Sequence, residues 1–295
     1  MSPKNNSRLV TVAAIQTSYG LDMKQNIEKT VNYVHEAAKK GAQIVLPSEL
    51  FQNIYFCTSQ DPRWFREAFP AEEHPAVIAM QKATKELKIV IPVSFFEKSG
   101  AHYYNSVAVI DDTGAIMGIY RKTHIPDGPG YSEKYYFRPG DLGFKVWDTK
   151  FGKIGVGICW DQWYPEVARS MMLQGAEILF YPTAIGFEPS TPNLDTALSW
   201  QRAMQGHAVS NFVPVVAANR IGVEKNPANP GNDQGYYGKS FIAAPSGDLV
   251  QEAGRDKDAV LVHSFDLDAI NAERPMWGFF RDRRTDLYKS LTEPS

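Results

Sequence analysis

Cysteine is scarce in this chain: Cys57 and Cys159 are the only two among 295 residues, which excludes a disulfide framework and points to a reducing compartment. No apolar run approaches the roughly 20 residues that cross a bilayer, and the polar start, Met1 to Arg8, leads straight into a strand-like segment. A soluble, cytoplasmic protein with no membrane partner is the expectation. Neither sign of charge is in excess: 31 Lys and Arg face 33 Asp and Glu, and no basic stripe appears, which argues against a nucleic-acid partner. The six histidines are scattered singly, without His-Glu-x-x-His or Cys-x-x-Cys, so no metal is expected. Gly152, Gly155 and Gly157 miss the spacing of a dinucleotide loop and lie before or inside a strand. Partners should therefore be small molecules or further copies of this chain.

What the chain does have is alternation of strand and helix. Val10 to Gln16 reads as a buried strand, and Met23, Ile27, Val31, Val34 and Ala38 follow at helical spacing until Gly41 stops them. Gln43 to Leu46 resumes as strand. The same unit recurs at Ile154–Ile158, Pro165–Gln174 and Glu177–Tyr181, so two related halves are expected. Between them lie a helix over Pro75–Leu87 and strands at Ile89–Phe96, Ser106–Ile110 and Ala115–Tyr120. The second half adds a helix over Leu194–Ser210 and strands at Val213–Ala217, Ser240–Ala244 and Val260–Phe265. Strands this apolar are covered on both faces, which predicts an α/β protein built as a four-layer αββα sandwich. No linker divides the chain, so residues 1–295 read as one domain. Its tail from Arg274 carries Trp277, Phe279, Phe280 and Tyr288 among charges, a composition that suits packing on a partner subunit or folding back on its own domain.

Four residues stand out chemically. Cys159 sits where the apolar strand before it turns into Trp160-Asp161-Gln162, the place a strand-to-helix turn lifts a nucleophile over a sheet edge. By itself it fits a buried apolar cysteine better than a catalyst. Glu49 follows the strand ending at Leu46, Lys122 follows the strand ending at Tyr120, and Glu133 lies on a loop rich in Gly, Pro and aromatics. Each has a bland reading too: a helix cap or ion-pair partner, a solvated lysine, a loop charge.

Leu-Pro-Ser-Glu at 46–49, Arg-Lys-Thr-His at 121–124 and Gly-Ile-Cys-Trp-Asp at 157–161, in that order, resemble the three catalytic signatures of the nitrilase superfamily of carbon–nitrogen hydrolases. The resemblance covers nearly the whole chain. It implies the αββα sandwich, no cofactor, Cys159 as nucleophile, Glu49 as general base and acid, Lys122 beside the tetrahedral oxyanion, and Glu133 as a supporting carboxylate. It also implies symmetric dimers or larger assemblies.

The segment Cys159 to Arg169 most resembles the branch of that family that hydrolyses N-carbamoylputrescine, a carbamoyl-amine substrate. Members that act on N-carbamoyl-D-amino acids carry arginines soon after the cysteine, whereas this chain has Asp161, Gln162 and Trp163. A cationic substrate tail suits carboxylates and aromatic faces better than an anionic one. The resemblance implies that Glu188 meets the distal ammonium; Tyr55, Tyr131, Trp160 and Trp200 are candidates to line the four-carbon chain, with core packing as the bland reading, above all for Trp200. Sibling amidohydrolases such as a β-ureidopropionase or ω-amidase, whose substrates carry a carboxylate, and an idle scaffold of the same fold are the alternatives.

Overall fold

The computed structural model describes residues 7–187, 194–227, 230 and 233–293. The first third holds β1 (Leu9–Gln16), α1 (Met23–Lys39), β2 (Ile44–Leu46), α2 (Pro75–Leu87), β3 (Ile91–Ser99), β4 (His102–Ile110) and β5 (Ile116–Arg121). The middle holds α3 (Glu133–Tyr136), β6 (Val146–Thr149), β7 (Gly152–Val156), α4 (Pro165–Leu173) and β8 (Ile178–Pro182). Then come α5 (Ala197–Asn211), β9 (Val215–Ala218), β10 (Ile221–Glu224), β11 (Gln234–Tyr237), β12 (Phe241–Ala243), β13 (Leu249–Glu252), β14 (Ala259–Asp266) and α6 (Leu267–Glu273).

Two sheets form the centre. In one, β14, β1 and β2 are neighbours, and a parallel bridge from Ile44 to Val90 sets the antiparallel β3–β4–β5 meander alongside. The other runs β13-β12-β9-β8-β7-β6, parallel through β9, β8 and β7 and antiparallel at its flanks. Strand alternation explains the layering. Val10, Val12 and Ala14 of β1 meet Ile178 and Phe180 of β8 and Val216 and Ala218 of β9 in the core between the sheets. Ala13 and Ile15 point the other way, onto Ile27, Val34 and Ala37 of α1 and Val77 and Met80 of α2. Leu179 and Tyr181 likewise turn outward to Val167 and Met171 of α4 and Trp200 and Met204 of α5. The result is the αββα sandwich.

Helix ends obey local chemistry. Asp22 caps α1 by accepting from Gln25 N, and Gly41 follows its end at φ +91°. Pro75 opens α2 while the His74 ring accepts from Ala76 N. The strands β6, β10, β11 and β13 and the helix α6 escape the sequence patterns: each is short, and β13 is half-exposed along its length. The helix expected from Pro165 is α4, and the turn that leads from Cys159 toward it is a 3₁₀ turn, Cys159–Trp163.

The tail partly returns to its own domain. Arg274 Nε donates to Phe212 O at 3.0 Å, the Trp277 ring lies 5.7 Å from that of Phe212, and the Arg169 guanidinium covers Phe280 at 4.7 Å. Met276, Trp277, Leu287 and Leu291 stay exposed. Among the described residues, no helix is long and apolar enough to cross a membrane.

Candidate active site

Three strand ends and one helical turn converge. After β2 the chain passes Pro47 and Ser48 to Glu49, whose N–H donates to Thr183 O at 3.3 Å. Leu50 then adopts a left-handed φ of +46°, its N–H donating to Ser94 Oγ at 3.0 Å. Lys122 leaves β5 with its N–H donating to Asn105 O at 2.8 Å. Cys159 follows β7 and is itself left-handed, at φ +44°. A non-glycine residue takes that conformation at a cost, and the strained turn is what aims its side chain away from the sheet. Glu133 starts α3, held against the loop at Cys57, whose carbonyl accepts from Ser132 N at 2.7 Å.

These backbones bring the side chains together in a dry site. Glu49, Lys122 and Glu133 are fully buried and Cys159 is 3% exposed. Lys122 Nζ donates to Glu49 Oε1 at 2.9 Å and to both oxygens of Glu133 at 2.8 Å. Asn105 Nδ2 donates to the same Glu49 Oε1 at 2.7 Å, and Tyr55 OH donates to Glu133 Oε1 at 2.5 Å. Glu49 Oε1 is thus doubly occupied, while buried Oε2 has no hydrogen-bond partner among the described residues. Such an unpaired acceptor is costly, and sites of chemistry are where that cost is tolerated.

Electrostatics follow from burial. Desolvation alone lowers a lysine, but Glu133 and Glu49 outweigh it and hold Lys122 well above the usual range, so the ammonium persists. Burial raises Glu133, opposed by Lys122. Burial also pushes the Cys159 thiol well above its usual range, Glu49 adds to that, and Lys122 only partly offsets it. The resting sulfur is therefore a neutral thiol, which needs a base beside it rather than a standing positive field. Among the described residues no group of His, Cys, Asp or Glu is arranged to hold a metal ion.

The carbon-nitrogen hydrolase family model matches residues 11–274 of the chain. This protein belongs to the carbon-nitrogen hydrolase family. It is 56% identical over 292 residues to an N-carbamoylputrescine amidase of Solanum lycopersicum, covering 99% of this chain and 97% of that one. It is 50% identical over 282 residues to a citrullinase of Francisella tularensis, covering 96% and 98%. Among solved structures, a carbon-nitrogen hydrolase from Helicobacter pylori superposes with a TM-score of 0.88 at 37% identity, over 97% of this chain and 99% of that one.

In this carbon-nitrogen hydrolase the residues singled out from the sequence fare differently. Glu49, Lys122 and Glu133 form one ion-paired cluster, and Cys159 Sγ, 3.9 Å from Ala184 O, is buried within the field of all three. Tyr55 and Tyr131 lie together, ring centroids 5.9 Å apart, and Tyr131 OH accepts from Gly186 N. Trp160 is half-buried and meets Trp163 edge-on. Glu188 lies outside the described residues. Trp200 is fully buried among Tyr237 and Phe241, and its indole N–H donates to Gln162 Oε1 at 2.7 Å, which ties it to the cysteine turn.

The contrast drawn from Asp161 and Gln162 also changes meaning. Asp161 Oδ2 accepts from Ile158 N and Tyr120 OH, and Oδ1 from His124 N, so this carboxylate knots the cysteine turn to the lysine strand end. Gln162 Oε1 accepts from Thr183 Oγ1 as well as Trp200, and its carbonyl meets His207 Nε2 at 2.8 Å. Both side chains belong to the scaffold and offer nothing to a cationic tail. Asn105 was missed by the sequence reading. The signal was slight: an amide, with Ser106 beside it, directly ahead of the apolar run Val107–Ile110 of β4.

Proposed function

We propose that this carbon-nitrogen hydrolase cleaves N-carbamoylputrescine, with water, to putrescine, carbon dioxide and ammonia. The observation that carries the chemistry is the buried Lys122 ammonium shared by Glu49 and Glu133, with the Cys159 thiol buried in the field of the same charges. Identity of 54–56% to N-carbamoylputrescine amidases of four plants supports the substrate.

In this reading Cys159 Sγ attacks the ureido carbonyl while Glu49 Oε2 takes the thiol proton, so charge on sulfur never builds in the dry site. The carbonyl electrons move to oxygen. Lys122 and the Trp160 N–H stabilise that oxyanion, each worth ~3 kcal/mol in a water-excluded site. Glu49 returns the proton to the departing nitrogen as the carbon–nitrogen bond breaks. Water deprotonated by Glu49 then hydrolyses the S-carbamoyl intermediate, and the carbamic acid released falls apart to carbon dioxide and the second amine. Glu133 and Tyr55 keep Lys122 aimed.

Tyr55, Tyr131 and Trp160 supply aromatic faces for the four-carbon chain, and Glu188 pairs with the distal ammonium. The exposed apolar residues of the tail pack on a second copy of the chain. A second reading, a citrulline-hydrolysing enzyme, is favoured by the citrullinase relative, since citrulline carries the same terminal ureido group on a three-carbon chain that ends in an α-ammonium and an α-carboxylate.

Ammonia release from N-carbamoylputrescine, citrulline and N-carbamoyl-β-alanine in parallel decides among these. Turnover confined to the carbamoyl diamine, lost with Glu188→Ala chiefly through KM, supports the proposal. Preference for citrulline replaces the substrate while keeping the chemistry, and turnover surviving Cys159→Ala sinks both.

A further inference from the structure

Behind the site lies a second buried ion pair that the reaction scheme does not use. Arg220, directly before β10, and Glu224, at its end, are buried, and their Nη1–Oε1 distance is 2.6 Å. A buried pair is weak evidence for stability, because desolvating both charges cancels most of the attraction. Its partners are therefore more informative than its presence.

Arg220 Nη2 donates to Glu49 O at 2.6 Å and to Leu50 O at 2.7 Å, and Nη1 donates to Asn53 O at 3.0 Å as well as to Glu224. One guanidinium thus gathers three carbonyls of the turn that carries Glu49. That turn contains the left-handed Leu50, a conformation the backbone would not hold unaided. The other oxygen of Glu224 accepts from Tyr55 N at 2.6 Å. Tyr55 in turn donates its hydroxyl to Glu133. Tyr19 lies under the guanidinium at 4.9 Å, and its hydroxyl meets Ser48 Oγ at 2.9 Å, one residue before Glu49.

We propose that Arg220 and Glu224 are positioning residues for the hydrolytic reaction: through three backbone carbonyls they fix Glu49, and through Tyr55 they fix Glu133, on the two sides of Lys122. This rests on the assignment of Glu49 as the base. The planar fork of arginine suits this task because its donors reach several carbonyls at once, which a lysine ammonium on a flexible stem cannot reproduce.

The test is steady-state kinetics on N-carbamoylputrescine, with thermal unfolding and circular dichroism, for Arg220→Lys, Glu224→Gln and Glu49→Gln. A base displaced by about an ångström costs ~100-fold, so Arg220→Lys, assayed well below its Tm, should lose kcat on that scale with KM within about threefold. Glu224→Gln keeps the shape and the Tyr55 contact but loosens the guanidinium, and should lose about tenfold in kcat. A folded Arg220→Lys with wild-type kcat and only a lower Tm overturns the proposal and leaves the pair a structural brace. If Arg220→Lys does not fold, Glu224→Gln decides alone, and an unchanged kcat there overturns it. Glu49→Gln separates the two layers. Where it is dead and the other two are intact, positioning fails while the base assignment stands; where it is active, the base assignment falls and the proposal with it.

Discussion

Lys122 and the charges of the C-terminal tail make ion pairs of almost the same length and of opposite consequence. Lys122 lies 2.9 Å from Glu49 and 2.8 Å from Glu133 with all three side chains out of solvent. Arg281–Asp282 and Arg284–Asp286 close to 2.7 Å on the surface, with each side chain at least 60% exposed. Water screens the tail pairs, and their partners are sequence neighbours that gain little from meeting. In the centre no water competes, so removing one partner strands a charge. Distance does not distinguish a functional ion pair from an incidental one; what surrounds it does.

The comparison can be broken most forcefully at the centre. Cys159→Ala should abolish ammonia release, a loss of at least ~10⁴-fold, while leaving Tm near that of the parent, because a neutral buried thiol contributes packing and no charge. Lys122→Met should lower kcat by ~10³-fold and destabilise by about 3–5 kcal/mol in denaturant melts, since two buried carboxylates then face each other. Adding Glu133→Gln to Lys122→Met should recover part of that stability and none of the activity. Full stability in Lys122→Met would show that the burial argument fails.

A third buried ionisable group sharpens the contrast without touching chemistry. Burial holds the His74 imidazole down at about 3 from its ordinary 6.5. With the folded value depressed, the unfolded chain binds the extra proton between those limits, so stability is intact above pH 6.5 and falls as pH drops toward 3. His74→Asn keeps a side-chain cap for α2 and removes the titration, so the difference in stability between it and the parent should shift by ~3 kcal/mol between pH 7 and pH 4. A pH-independent difference would contradict the burial. Smallest of all, Arg284→Ala with Asp286→Ala in the tail should leave Tm within about one degree.

Much of the layering was legible in the sequence because strand alternation is a local signal. Val12 and Ala14 against Ala13 and Ile15 already separate the inter-sheet core from the helix-facing layer. Helix α2 was read at its observed limits, since Pro75 and the residues closing it are local too. Short strands such as β6 and β10 were not, because four residues carry too little periodicity to stand out. The structural part played by Asp161 and Gln162 was not legible for a different reason. A polar residue beside a nucleophile looks the same in sequence whether it faces the substrate or ties down the turn.

The sequence by itself determined which chemical groups are on offer: a thiol, a carboxylate and a lysine at strand ends, and a second carboxylate on an aromatic loop. Only the tertiary structure decided how they share one another. That Lys122 serves Glu49 across 73 residues and Glu133 across 11, that Asn105 occupies one oxygen of Glu49 and leaves the other unpaired, and that Arg220 reaches back to the Glu49 turn all depend on packing between distant segments. Periodicity and turn chemistry act over a few residues. Burial, which sets whether a charge pair is inert or functional, is a property of the whole fold.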